Sequence, residues 1–416
     1  MKKDLIAMLL AGGVGTRLSI LARQRAKPAI PFGATYRIID FTMSNIANSN
    51  VEVVGVLTQY KPLSLMEHID NGRPWDLFGR TRLVEILPPK TGEEISDWYK
   101  GTSDAVYQNL GFIDDFSPEL VLVGSGDHIY HMNYNELISF HKKKRASATV
   151  CLIKVPLQEA HNFGIAEIDN TARIIKWQEK PRAPKSNLAS MGVYVFKKEL
   201  LKDTLIEVAK KGGVDFAKDV IPALLKNHRI FGFSFKGYWR DVGTIDAYWN
   251  ANMDLIRRNS GLNIKDWQIQ TNLAIKGEIG DRPSTYFGHR PKIINSLIAR
   301  DCIIEGTIKN SIISPGVRIH KNTIITDSII FHDTIIGAGS VLAKCIIDKD
   351  VDVGEKVHIG FGASIPNKKF PNQLFTGITL IGKGAEVSSN IKIGKNCIIN
   401  PFAKVKVKTV ASGTTI

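Results

Sequence analysis

Apolar and polar positions divide this chain into two stretches with different rhythms. Up to about residue 256, short β-rich apolar runs alternate with stretches whose apolar residues recur at helical spacing. Leu5–Leu10, Val51–Leu57, Leu120–Gly124 and Thr149–Val155 are such runs. Short buried strands separated by amphipathic helices predict an α/β fold, a mostly parallel sheet with helices on both faces. A last helix is expected around Ala247–Arg257. The stretch after it, with Pro283, Pro291 and several glycines, reads as a linker.

From Ile313 onward the texture changes, and β-branched residues return at every sixth position. They run through Ile313, Ile319 and Ile325, then Ile329, Ile335, Val341, Ile347, Val353, Ile359 and Ile365. A second run follows in Ile381, Val387, Ile393, Ile399 and Val405. Neither a helix nor a two-sided strand has this period. It is the spacing of a parallel β-helix, in which each coil stacks one aliphatic residue per face on the coil below. Gly316, Gly337, Gly339, Gly354, Gly360, Asn390, Gly394 and Asn396 suit the tight corners between faces. Residues 366–380, with Pro366 and Pro371, break the period and predict an excursion from the stack. The expected division is therefore a first domain over 1–256, a linker over 257–292 and a β-helix over 293–416.

Length agrees with two domains, because 416 residues exceed the roughly 250–300 over which a single core grows. Hydrophobic residues at 44% and charged residues at 23% are close to the soluble globular average, which argues against disorder and against a membrane protein. The net charge of +15 favours anionic partners. Its densest run, Lys142, Lys143, Lys144 and Arg145, is short and ends a helical stretch, so no nucleic-acid partner is expected. Four scattered cysteines with no CxxC spacing read as reduced packing residues of a cytoplasmic protein. Met1–Leu10 superficially suggests a leader, but Asp4 interrupts its basic region and a glycine loop follows, so a buried first strand is the expectation. His320, His332 and His358 are isolated and expected to be exposed.

The strongest chemical signal is Ala11-Gly12-Gly13-Val14-Gly15-Thr16-Arg17-Leu18, directly after the first predicted strand. Its glycines let the backbone approach a triphosphate and point N–H groups at its oxygens. Leu18 stands where a dinucleotide fingerprint needs its third glycine, and no Gly-Lys-Ser/Thr ends the loop as in a Walker motif. Arg17, Arg25 and Lys27 add cations close by. Asp127 follows the run Leu120–Gly124, at the carboxyl edge of a strand where α/β sheets bind ligands. On residue pattern alone, Asp127 could equally cap a turn, Asp241 pair with Arg240, and Glu179-Lys180-Pro181 form a surface turn.

Several motifs together resemble the glucose-1-phosphate adenylyltransferases. They are Gly12–Leu18, Arg25-Ala26-Lys27-Pro28-Ala29, Phe32-Gly33, Tyr36–Phe41, Trp98-Tyr99-Lys100-Gly101-Thr102, Gly126-Asp127-His128-Ile129-Tyr130, Glu179-Lys180-Pro181, Ser190–Tyr194 and Tyr238–Thr244. The resemblance implies a Rossmann-like nucleotidyltransferase domain followed by a left-handed β-helix, and synthesis of ADP-glucose and diphosphate from ATP and glucose 1-phosphate. By the same resemblance Gly12, Gly13, Gly15, Thr16, Arg17, Lys27, Gln59 and Trp98 serve ATP. Tyr99, Gly164, Glu179, Lys180, Ser190, Asp215 and Trp239 serve glucose 1-phosphate. Asp127 and Asp241 hold Mg²⁺, and Arg17, Lys27 and Asp127 carry the catalysis. The resemblance further implies small-molecule allosteric effectors and a homotetramer, or a hetero-oligomer with a related subunit. The sequence departs from the family pattern at Ala34-Thr35, where a lysine linked to effector binding is usual. Two other readings keep the motifs: a pyrophosphorylase using another nucleoside triphosphate, and a non-catalytic regulatory subunit. Every site motif precedes residue 256, which assigns the chemistry to the first domain and assembly and regulation to the β-helix.

Overall fold

The computed structural model describes residues 3–13, 15–89, 98–274 and 281–416. Val14 of the glycine loop lies outside the described residues. The chain forms two compact units that do not follow chain order: residues 1–13 with 39–239, and residues 14–38 with 240–416.

The first unit is built on a nine-stranded sheet among the described residues. Its strands are β1 Leu5–Leu10, β2 Val53–Leu57, β3 Leu83–Leu87, β4 Leu120–Ser125, β5 Ala148–Lys154, β6 Gly164–Ile168, β7 Ile174–Glu179, β8 Leu188–Lys197 and β9 Ile230–Ser234. The path runs β7-β6-β8-β4-β1-β2-β3, with β5 paired to both β8 and β9. From β4 to β3 every pairing is parallel, as the buried apolar runs predict. The sheet is nonetheless mixed, because β8 runs antiparallel to β4, β5 and β6, and β7 antiparallel to β6. A short turn explains the last pair. Asp169 accepts hydrogen bonds from the Thr171 and Arg173 N–H groups, and a loop that short can only join antiparallel strands. The core between sheet and helices includes Tyr194, Phe196 and Phe216, whose rings pack 5.6–5.9 Å apart. Helix α1, Ile38–Asn48, turns a buried polar face with Thr42, Asn45 and Ser49 toward the segment after β4. All four cysteines are free and buried. Among the described residues no helix is long and apolar enough to cross a membrane.

The second unit carries a left-handed β-helix of three parallel sheets, with seven, seven and six strands among the described residues. The stack begins at Tyr286–Phe287, inside the stretch read as linker. Ile319 pairs with Ile336 and Ile336 with Val353, so these middle coils take 17 residues, as does the Ser311-Ser328-Cys345 ladder, whereas Ile304 to Ile319 takes 15 and Ile381 to Ile399 takes 18. Three steps of six would need 18. The sixfold reading therefore slips: Ile330, Ile336 and Leu342 are fully buried, whereas Ile335 is 38% exposed and Val341 half-buried. A one-residue shift on a strand moves a side chain to the opposite face. Ile365, read as the last of its run, is exposed and lies in the strand-free segment between Phe361 and Thr379.

Helix α2, Ile245–Asp254, belongs to this second unit. Its Trp249 donates Nε1–H to the Asp327 carbonyl at 3.0 Å, and Lys344 lies over the same ring. On its other side Asn252 accepts from the Gly33 N–H at 3.0 Å, and the Tyr248 hydroxyl donates to the Pro31 carbonyl. Pro31 and Gly33 are thereby held against the helix, and the helix against the coils.

Candidate active site

The expected site residues fall in both units, and the boundary runs through the glycine loop. Gly12 and Gly13 close the first segment of one unit, while Gly15, Thr16 and Arg17 open the second.

In the first unit the loops at the carboxyl ends of β1, β2 and β4 meet. The Ala11 N–H donates to Leu57 and the Gly126 N–H to Leu10. A Cβ on Gly12 would lie 3.3 Å from that of Gln59, and the Gln59 amide donates to the Tyr99 carbonyl at 3.3 Å. Gly12, Gln59 and the Trp98-Tyr99 segment thus form one chain of contacts, with the Trp98 ring exposed. The Tyr99 side chain turns away into the core. Its hydroxyl donates to Leu87, accepts from Asn109, and is pushed up to about 12 by burial.

Asp127 sits on the turn after β4. α1 holds that turn: the Thr42 hydroxyl donates to the Ser125 carbonyl, and the Asn45 amide donates to Tyr130 and accepts from the Met132 N–H. The Ser125 hydroxyl donates to the Asp127 carboxylate. Thr42 and Asn45 lie on one face of the helix at i and i+3, so α1 fixes the turn by helical periodicity.

The sugar-side residues gather around the start of β6 and the end of β7. Gly164 lies opposite Glu179 in register, and a Cβ there would come within 2.8 Å of Glu179 Oε2 and 2.7 Å of the Trp177 ring. No other residue fits. Glu179 Oε1 is 3.4 Å from Lys180 Nζ, but Oε2 is buried with no hydrogen-bond partner among the described residues. Burial raises this carboxyl above its usual value, and the Lys180 ammonium partly offsets the rise. Trp239 stacks edge-on against Phe163 at 5.4 Å, and its buried Nε1 likewise has no partner among the described residues. Ser190 accepts from the Gly192 N–H and shares a 3.4 Å contact with the Tyr194 hydroxyl. Asp215 is engaged in structure: it caps the turn Phe216–Val220 through the Ala217 and Lys218 N–H groups and accepts from Thr102.

In the second unit Gly15 adopts φ 66, in the left-handed region, and a Cβ there would lie 3.0 Å from Ala22 and 3.3 Å from Lys27. This close turn leads into Thr16 and Arg17, both exposed. Lys27 is buried and places Nζ 3.0 Å from Asp241 Oδ1. Arg17 and the Asp241 carboxylate flank Gly243. Asp241 pairs with Lys27, and Arg240 faces Asp254 at 3.8 Å.

Sequence reasoning missed two features. Phe163 gave no signal beyond its place before Gly164. A cluster of cations also forms in the second unit: buried Arg25 pairs with Asp348 at 2.8 Å, beside Lys349, Arg37 and His332. Burial, then the Arg37 and Arg25 guanidinium groups, pulls the Lys349 ammonium down to about 7. His332 is neither isolated nor exposed as expected. Burial and the charges of Lys349, Arg37, Arg282 and Arg25 hold its imidazole well below the usual value.

A nucleotidyl transferase family model matches residues 6–258, and a model of the GlmU-like C-terminal hexapeptide matches residues 284–381. The chain is 45% identical to a glucose-1-phosphate adenylyltransferase of Acetivibrio thermocellus over 96% of this chain and 94% of that one. It is 43% identical to that of Thermosipho melanesiensis over the full length of both. It is 49% identical to that of Clostridium botulinum strain Alaska E43 over 78% and 84%. Fold order, glycine loop and full-length likeness together show that the chain belongs to the glucose-1-phosphate adenylyltransferase family.

Proposed function

We propose that this chain joins ATP to glucose 1-phosphate, releasing diphosphate and forming ADP-glucose for glycogen- or starch-type glucan synthesis in the cytoplasm. One observation carries the sugar side. Glu179 Oε2 and Trp239 Nε1 are a buried acceptor and a buried donor without protein partners among the described residues, linked through Gly164 and Phe163. Buried polar atoms are costly unless a ligand completes them, and a hexose offers hydroxyls to both.

In the reaction a phosphate oxygen of glucose 1-phosphate forms a bond to the α-phosphorus of ATP while the bond from that phosphorus to the β-phosphate oxygen breaks. The nucleophile is already an anion, so no general base is required. The protein must instead align two polyanions and offset their charge. The backbone N–H groups of Gly12, Gly13, Gly15 and Thr16 meet the triphosphate, with Arg17 and Lys27 as cations. Gln59 and Trp98 border the nucleotide. Lys180 meets the sugar phosphate, and Glu179, Ser190 and Trp239 orient the ring with the backbone near Tyr99, Gly164 and Asp215.

Asp127 and Asp241 suit Mg²⁺. Both are partly exposed carboxylates, with side chains 23% and 24% accessible, and hard oxygen donors of this kind are what the ion takes. When bound, the ion would neutralise charge on the transferred phosphate. Lys27, now against Asp241, would exchange that partner for phosphate oxygens. With this reading go a catalytic segment over 1–256, a linker that ends before the first β-helix strand at Tyr286–Phe287, the β-helix after it, and a homotetramer. Anionic effectors would bind the Arg25, Arg37 and Lys349 cluster.

The test is diphosphate release from glucose 1-phosphate with each of the four nucleoside triphosphates in turn. ATP is expected to give the fastest turnover by far. A faster rate with another nucleotide, or no release with any, would replace this reading with one of its two rivals.

A further inference from the structure

We propose that His128 is a positioning residue that ties the Asp127 carboxylate to the sugar-side wall formed by Met191 and Trp239. His128 follows Asp127 directly and touches three groups in the first unit. Its Nδ1 lies 3.2 Å from the Met191 carbonyl, which can only accept, so Nδ1 carries the hydrogen and donates. Its ring meets the Trp239 ring edge-on, with centroids 5.3 Å apart and planes at 79°. Its Nε2 is 3.4 Å from Asp127 Oδ1, too far for a good hydrogen bond, so the imidazole acts there as a wall. The Ser125 hydroxyl restrains the same carboxylate.

Met191 is available because of a bulge. Ser190 of β8 pairs with Leu152 and Tyr194 with Val150, so β8 passes four residues where β5 passes two. The extra residues loosen the ladder around Met191 and turn its carbonyl toward the Asp127 turn, as bulges beside functional sites commonly do. The same bulge carries Ser190, whose hydroxyl accepts from the Gly192 N–H. One imidazole therefore sets the metal-side carboxylate, the bulge and the indole relative to one another. A shift of about 1 Å in such a constellation is enough to cost a large part of the rate.

The inference rests on the proposed roles of Asp127 and the sugar-side residues, and three variants of the full chain separate the two. His128→Phe keeps a ring against Trp239 but loses the hydrogen bond to the Met191 carbonyl that fixes the ring beside Asp127. Its dissociation constant for glucose 1-phosphate, measured by calorimetry without turnover, should rise about tenfold, the loss of one hydrogen bond. The Mg²⁺ concentration for half-maximal rate should rise with it, while the KM for ATP stays within about twofold. His128→Asn keeps a donor near the position of Nδ1, so sugar-phosphate affinity should recover while the Mg²⁺ requirement remains raised. If His128→Phe leaves sugar affinity and Mg²⁺ requirement unchanged, the coupling is wrong. If thermal midpoint and KM for ATP move as much as they do, His128 is only structural and the proposal fails. Asp127→Asn serves as reference: near-normal kcat there would sink the role of Asp127 and the coupling to it, whereas a collapse there with silent His128 variants would sink the coupling alone.

Discussion

In the proposed reaction Asp127 and Lys180 carry charges that would act at different stages. Asp127→Asn keeps the shape of the turn but removes a negative metal ligand, so kcat should fall by orders of magnitude with little change in the KM for glucose 1-phosphate. Lys180, largely exposed just after β7, would on this proposal meet a phosphate already present in the ground state. Lys180→Gln should raise that KM strongly and leave ATP affinity nearly unchanged. Steady-state kinetics with both substrates varied checks both, and the opposite pattern in either variant refutes its role. Lys349 makes a pH prediction. Its folded pKa near 7 lies below the ordinary 10.5, so between these values the unfolded chain holds more protons than the folded one. Stability from this group is thus present at high pH, declines as pH falls, and is fully lost below about 7. Burial sets that sign first, the Arg37, Arg25 and Lys383 charges add to it, and Asp348 opposes it. Lys349→Met should flatten the slope of melting temperature between pH 7 and 10, and so should saturating inorganic phosphate if the cluster binds anions. The charges at Arg17, Lys27 and Asp127 were legible in the sequence because each stands in a motif with its own chemistry. The Lys27–Asp241 pair was not, since its partners are 214 residues apart and no local pattern joins them.

The first four apolar runs read from the sequence are strands of the sheet within one or two residues, because long buried strands need continuous apolar sequence. The antiparallel half was less visible. β7 alternates exposed and partly buried residues, and its pairing is decided by the Asp169 turn rather than by hydrophobic pattern. In the β-helix the architecture was legible and so was much of the register: Ile381, Val387, Ile393, Ile399 and Val405 are all buried, on coils of 18 residues, whereas the 17-residue coils through Ile336 drift by one against a strict period of six. The register makes a direct prediction. Ile336→Ala removes a fully buried side chain from the stack and should cost about 2–5 kcal/mol, whereas Ile335→Ala on the adjacent outward position should stay within about 0.5 kcal/mol. Urea midpoints of the two variants, followed by loss of β-structure, decide it. Equal losses would mean that the inward and outward faces are assigned wrongly.

At the scale of the molecule the structure alters the division of labour read from motif order. Arg17 and Lys27 belong to the unit that contains the β-helix, and segment 14–38 is anchored there by Arg25 on Asp348 and by Arg23 on Asn400. Truncation after residue 292 should therefore abolish turnover as well as assembly, because it removes the support of both cations. A truncated chain that keeps near-normal kcat would show that segment 14–38 holds its shape alone. Native mass measurement of the full chain should give four copies, and a monomer would overturn the assembly proposed here.

The interleaving of the two units also bears on how the chain is made. Arg25 leaves the ribosome 323 residues before Asp348, and Arg23 leaves 377 before Asn400. At roughly 5–20 residues per second, these early basic residues wait between about 15 and 75 seconds for the acceptors that settle them. Throughout that interval the first unit can close its sheet around residues 39–239, leaving 14–38 as a tethered excursion between two finished pieces of backbone. The coils that carry Asp348 and Asn400 thus settle this segment last, and a nascent chain stalled short of residue 348 would carry a closed sheet while Arg25 still awaited its acceptor.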